Sequence, residues 1–252
     1  MPHTQPGSAP PAGPPGSGTA DPGSSSSSDD TLDLELSQQW GDLLALREGN
    51  DPAESRGGPP RRGGLLDSPA DWPAAETGVG RFRLVPVHLA RDLPLIAAWM
   101  NDPAVAAFWE LAGPESVTEA HLRPQLEGDG RSVPCLGVLD GAPMSYWELY
   151  RADLDPLARH CPTRPHDTGI HLLVGGVAHR GRGIGTSLLR AVADLVLDHR
   201  PLCARVLAEP DVRNVPSVAA FLGAGFRLGA EVELPAKRAA LMVRDRALRH
   251  ML

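Results

Sequence analysis

Three glycines at alternate positions, Gly181, Gly183 and Gly185, lie in the run Arg180-Gly-Arg182-Gly-Ile184-Gly-Thr186, and a long amphipathic stretch follows at once. Residues without a Cβ let backbone come close to a ligand. A helix that begins there presents unpaired N–H groups and the positive end of its dipole. With the charge of Arg180 and Arg182, the run describes a pyrophosphate cradle between a strand and a helix. A dinucleotide fingerprint needs GxGxxG and a Walker-type loop needs Gly-Lys-Ser/Thr, and this run has neither. A glycine-rich turn with a purely structural purpose is the alternative.

The rest of the chain sets the limits of the domain. Residues 1–30 hold no Leu, Ile, Val, Phe, Tyr or Trp and no Lys or Arg. Such a segment cannot bury enough apolar surface to offset the entropy of ordering it, so residues 1–80 read as a disordered Pro/Gly/Ser-rich tail. Within the tail, residues 31–48 carry Leu32, Leu36, Trp40, Leu43 and Leu44 near one face of a short helix. That helix either docks on a partner or frays in water. Residues 81–252 then form one globular domain of about 170 residues, enough for a single core.

The net charge is −7 and no basic block is interleaved with aromatics, which argues against a nucleic-acid partner. Cys135, Cys161 and Cys203 show no CxxC spacing, so no metal site is expected. No secretory signal and no 18-residue apolar run is present, and the expected location is cytoplasmic, without a membrane span. Lys237 is the only lysine, against 23 arginines, and reads as codon bias of the source.

Alternating apolar runs predict a strand over Phe82–Val87 and a helix from an Asp92 N-cap to Met100. Short helices follow over Val105–Leu111 and Val117–Leu126, then a hairpin turning at Asp140-Gly141. Further on come a strand over Thr168–Val174, a helix over Gly183–His199, a strand near Ala204–Ala208, a helix from Asn214 and two final strands. The expected fold is α/β: one mixed sheet with helices on both faces.

At this point residues 81–244 resemble the GNAT superfamily of acetyl-CoA-dependent N-acyltransferases. Arg180-x-x-Gly183-x-Gly185 is similar to its pyrophosphate loop, and Asn214 through Phe221 to Gly225-Phe226 is similar to its second motif. The resemblance implies a coenzyme-A cradle formed by Arg180, Gly181, Arg182, Gly183, Ile184, Gly185, Thr186 and Asn214. It also implies that Leu173 and Val174 splay from the next strand, with the Leu173 N–H facing the thioester oxygen. One position departs from the pattern. Many members have a Tyr, thought to protonate the thiolate, where this chain has Phe221.

A narrower resemblance joins Asn101 to Leu111, Tyr146 to Tyr150, Gly169 to Leu173, Glu209 to Asn214 and Leu234 to Met242. This series is similar to the siderophore-biosynthesis branch, whose members acylate the N6 nitrogen of lysine or N6-hydroxylysine. The implied donor is acetyl-CoA, a longer acyl-CoA or a carrier-protein thioester, and the partner is a small-molecule amine. An ammonium must lose a proton before it attacks, which suits a histidine base near neutrality. His171 fills that role by resemblance, with Asp211 holding its tautomer. A strand histidine bonded to a carbonyl and an aspartate capping a turn are the competing readings. Trp109, Trp147 and Glu148 are expected at the acceptor, or else as core aromatics and a solvated carboxylate. His121 and the other scattered histidines read as surface residues. Two rival functions remain, an aminoglycoside N-acetyltransferase and a non-catalytic acyl-CoA-binding module.

Overall fold

A computed structural model of the protein describes residues 65–250. The 31–48 helix and residues 1–64 of the tail lie outside the described residues. Eight strands run β1 (Ala75–Thr77), β2 (Gly80–Pro86), β3 (Ser132–Leu139), β4 (Ala142–Arg151), β5 (Thr168–Val174), β6 (Arg205–Ala208), β7 (Arg227–Glu233) and β8 (Arg238–Asp245). They form one sheet in the order β1-β2-β3-β4-β5-β6-β8-β7. Among the described residues only β5 and β6 pair in parallel. Among the described residues five α-helices accompany it: α1 (Leu89–Met100), α2 (Pro103–Trp109), α3 (Glu115–Leu126), α4 (Ile184–His199) and α5 (Val215–Gly223). The expected mixed sheet with helices on both faces is the observed architecture.

The period of two along each strand assigns the faces. Trp147 and Leu149 of β4 and Ile170 of β5 join Leu188, Val192 and Val196 of α4 in the main core. Tyr146, Glu148 and Tyr150 point to the opposite face, where α2 and α3 lie. Trp109 of α2 meets Tyr146 edge-on at 5.6 Å, and Gln125 of α3 donates to Glu148. The turn between β3 and β4 holds two left-handed residues, Asp140 at φ 48° and Gly141 at φ 86°, as a two-residue hairpin requires.

Two boundaries differ from expectation. Order does not begin at Arg81, because residues 65–80 carry a 3-10 turn at Pro69–Asp71, β1 and the start of β2. Leu66 and Trp72 are buried in the main core, and Trp72 stacks on His199 at 5.8 Å. The cause is a long-range one. The guanidinium of Arg200, 1% exposed, donates to the Leu65 carbonyl and the Asp67 carboxylate, so the segment satisfies a buried charge. In α1, the helix starts at Leu89, and Asp92 reaches back from the first turn to accept from the His88 N–H at 2.7 Å. The carboxylate caps the end without being the cap residue.

Candidate active site

Strands β5 and β6 share only two register pairs, Thr168 with Val206 and Gly169 with Leu207. Beyond Gly169, β5 continues to Val174 paired only with β4. The parting leaves Ile170 to Val174 without a strand on one side, but the ladder turns the Leu173 N–H toward Tyr146 of β4, contrary to expectation, and leaves the N–H groups of Leu172 and Val174 on the bare side. A cleft of about 240 Å³ opens beside it, lined among others by Trp109, Glu148, His171, Glu209, Phe221 and Lys237.

The glycine loop stands beyond the open end of β5. Gly181 and Gly183 adopt φ 70° and 77°, which an L side chain rarely takes, and a Cβ at either position would meet open space. Conformation rather than crowding therefore demands glycine there. Gly183 caps α4, and the first bond of that helix runs from the Ser187 N–H to the Gly183 carbonyl. The N–H groups of Ile184, Gly185 and Thr186 precede it in the first turn, facing outward from the helix start. A diphosphate fits such an end. Arg180 does not aim at that cradle. Its guanidinium donates to the carbonyls of Val174 and Gly175 and to Asp102 at 2.9 Å, and it holds the Asp102 carboxyl below its ordinary range. Arg180 thus fastens the loop to the start of α2, while Arg182 is exposed.

Across the cleft floor runs a chain of alternating acids and imidazoles. Glu148 and His171 are register partners on β4 and β5, and Glu148 Oε2 lies 2.8 Å from His171 Nδ1. The other ring nitrogen, Nε2, bonds to Glu209 Oε1. Carboxylates only accept, so both ring nitrogens carry hydrogen and His171 is an imidazolium. Burial would push its pKa down, yet the Glu209 charge and the bonds from both carboxylates raise it to about 10. Glu148 also receives His121 Nε2 at 2.5 Å, the Tyr146 hydroxyl at 2.8 Å and the Gln125 amide at 2.8 Å. Burial opposes its ionisation, but the bonds from His121 and His171 hold it well below the usual carboxylate range. Glu209 is lowered too, against its burial, by the His171 charge and the bonds it receives. Its Oε2 accepts from the Tyr150 hydroxyl at 2.7 Å. The Tyr150 ring lies across its register partner Gly169, where a Cβ would fall inside the ring. Glycine at 169 is what lets Tyr150 reach Glu209.

Residues 88–234 match the acetyltransferase (GNAT) domain family over more than half the chain. The chain belongs to that family. It is 35% identical over 154 residues to the lysine N-acyltransferase MbtK of Mycolicibacterium paratuberculosis, covering 61% of this chain and 69% of that protein. It is 36% identical over 155 residues to the N(6)-hydroxylysine O-acetyltransferase of Escherichia coli, covering 62% of this chain and about half (49%) of that one. Among solved structures, an uncharacterized Bacillus halodurans protein is 31% identical with TM-score 0.66, over 71% of this chain and 92% of that one. The aminoglycoside acetyltransferase AAC(6')-Ib in complex with coenzyme A shares the fold at 22% identity and TM-score 0.59, over 68% and 98% of the two chains.

Within this GNAT domain the expected site residues separate into two groups. His171, Glu148, Trp109, Asn214 and Asp211 all line the cleft. Trp147 does not. It is fully buried beneath α4, donates to Ser145 Oγ at 2.9 Å and packs against Phe82, because neighbours on a strand face opposite ways. Asp211 lines the cleft without touching His171. Its carboxylate takes the Arg213 backbone N–H at 2.8 Å and guanidinium at 2.6 Å, and these bonds lower its pKa to about 2. The partner expected in Asp211 is supplied by Glu148 and Glu209 instead. His121, expected on the surface, meets Glu148 and stands edge-on to Trp109 at 6.5 Å. Phe221 lines the cleft with no hydroxyl and packs on Phe226 at 5.1 Å. Among the described residues no helix is long and apolar enough to cross a membrane.

Proposed function

We propose that this chain transfers an acyl group from a coenzyme-A thioester to the N6 nitrogen of lysine or N6-hydroxylysine, the step that makes the hydroxamate arm of a siderophore. The single observation that carries the reading is the Glu148–His171–Glu209 trio set in the cleft beside the parted strands. The named relatives support the acceptor class, and the open first turn of α4 fits the donor's diphosphate. A thioester bound there supplies an electrophilic acyl carbon.

Protons govern what the residues must do. A lysine ammonium, pKa about 10.4, has no lone pair with which to attack. The trio carries two negative charges and one positive, so it draws that ammonium into the cleft. His171 is already filled at both nitrogens and takes no proton at rest. A second cation docked against Glu209 weakens its hold on His171, and the two cations lower one another's pKa. The ammonium, its pKa lowered by the His171 charge beside it, then gives its proton to water in the cleft, and Glu209 keeps the neutral nitrogen in place by accepting one of its N–H bonds. The chain from His171 through Glu148 to His121, 30% exposed at its side chain, holds the ring and its charge in place while the ammonium is emptied. A hydroxylated nitrogen is less basic and needs less of this help.

As the nitrogen–carbon bond forms, the carbon–sulfur bond breaks and sulfur takes the electron pair. The ladder turns the Leu173 N–H toward Tyr146 of β4, so it is the N–H groups of Leu172 and Val174, on the open side of β5, that are suited to face the acyl-pantetheine arm and the acyl oxygen, a role that contributes about 3 kcal/mol in comparable sites. Phe221 gives no proton. A thiol of ordinary pKa, about 8.5, can leave as its thiolate. Trp109, held against Tyr146 and His171, offers its face to the aliphatic stem of the acceptor.

The test is a mass-spectrometric screen of acetyl-CoA, longer acyl-CoA and acyl-carrier-protein donors against lysine, N6-hydroxylysine and kanamycin. Acylation of lysine or N6-hydroxylysine at N6 is expected. Turnover with kanamycin alone would overturn the assignment, and silence with every amine would favour a binding module.

A further inference from the structure

Lys237 is the chain's only lysine, and it lies in the same cleft as His171 and Glu209. It sits on the turn between β7 and β8, where Leu234 and Lys237 exchange backbone hydrogen bonds, the tighter at 2.9 Å. Its side chain is half-buried. Each neighbouring charge already has an opposite number. Asp211 is taken by Arg213, Glu209 by His171, and Arg238 by Glu231 and Glu233. Lys237 lies in the field of Glu209 and Asp211 but closes no ion pair with either among the described residues. The cleft therefore has two poles, an acidic trio on the sheet and an unmatched ammonium on the turn.

We propose that Lys237 receives the α-carboxylate of the acceptor, and so selects an amino acid over a simple diamine or a polycation. A ligand that satisfies both poles carries an amine at one end and an anion at the other. Half-burial strengthens the contact, because a charge-assisted hydrogen bond gains where water is thinned. The proposal rests on the acyl-transfer reading for the identity of the amine, but its own content is a binding preference.

Calorimetric titration with coenzyme A present compares L-lysine with cadaverine, which is lysine without its carboxylate. Wild-type protein should favour lysine by about tenfold or more, as expected for a hydrogen bond to a charged group. In Lys237→Gln that preference should fall to near one, and Lys237→Arg should restore most of it. A wild type that binds both ligands alike, or binds neither, overturns the proposal. So does a Gln variant that weakens both equally, or that weakens coenzyme A and leaves the ratio intact. Lysine bound with the preference but never acylated would sink the transfer reading alone. Lysine acylated with a ratio indifferent to Lys237 would sink only this one.

Discussion

Glu148 and His171 face each other across β4 and β5 as register partners, carboxylate oxygen to Nδ1 at 2.8 Å. Because the pair is built into the sheet ladder, neither side chain needs a loop to position it. The ring is fixed from the other side by Glu209, so its plane and its charge are set before any acceptor arrives.

Replacing His171 by Ala should lower turnover by about 10²-fold or more while acetyl-CoA affinity stays close to that of wild type. Steady-state kinetics with lysine, paired with titration of acetyl-CoA, separates the two effects. Unchanged turnover would remove His171 from the chemistry.

Stability should depend on pH through the same ring. The folded-state pKa of His171 is raised from 6.5 to about 10, so its stabilising share is full below about pH 6.5 and lost as pH climbs through 10. Thermal melts between pH 6.5 and 10 should show a steeper fall in Tm for wild type than for His171→Gln. Parallel curves would contradict the imidazolium assignment.

Glu209→Gln keeps one oxygen that can accept from the ring, turns the oxygen facing Tyr150 into an amide that donates, and removes the charge. In that variant His171 should titrate at lower pH, back toward 6.5, as followed by NMR of its ring C–H signals. A titration that does not move would mean that Glu209 contributes little to the ring's charge.

Gly183→Asp should weaken acetyl-CoA binding, because φ 77° strains any side chain there and the new carboxylate repels a diphosphate. Calorimetry is the direct check, with wild-type affinity as the contrary result.

The two tryptophans should part company. Trp147→Ala opens a cavity in the core and should cost about 3–5 kcal/mol in denaturant melts. Trp109→Ala, on the cleft wall, should instead raise the KM for the acceptor with little loss of stability. A Trp147 variant that alters only KM would reverse the placement of its face.

Much of this fold was legible from periodicity and punctuation. The span Thr168–Val174 and the extents of α4 and α5 follow from apolar spacing, a glycine and an asparagine cap. The loop glycines were legible too, since positive φ leaves few residue types to choose from. What escaped was long-range. Leu66 and Trp72 sit in a window dominated by Pro, Gly and Arg, and their burial depends on Arg200, distant in the sequence. Glu209 and His121 carry no local signal, as each acquires meaning only when separate elements converge on β4 and β5. Trp147 was decidable in principle: if Glu148 faces the acceptor, the residue before it on the strand cannot.

The early parting of β5 from β6 has a consequence for how the donor side tolerates change. A ligand lying along that bare edge would be read by peptide amides, which every residue except proline supplies alike. Drift in the side chains of Ile170, Leu172 and Val174 would then be silent so long as shape and extension persist, whereas a proline at 172 or 174 would erase a donor outright. On this edge, the message is carried by the main chain.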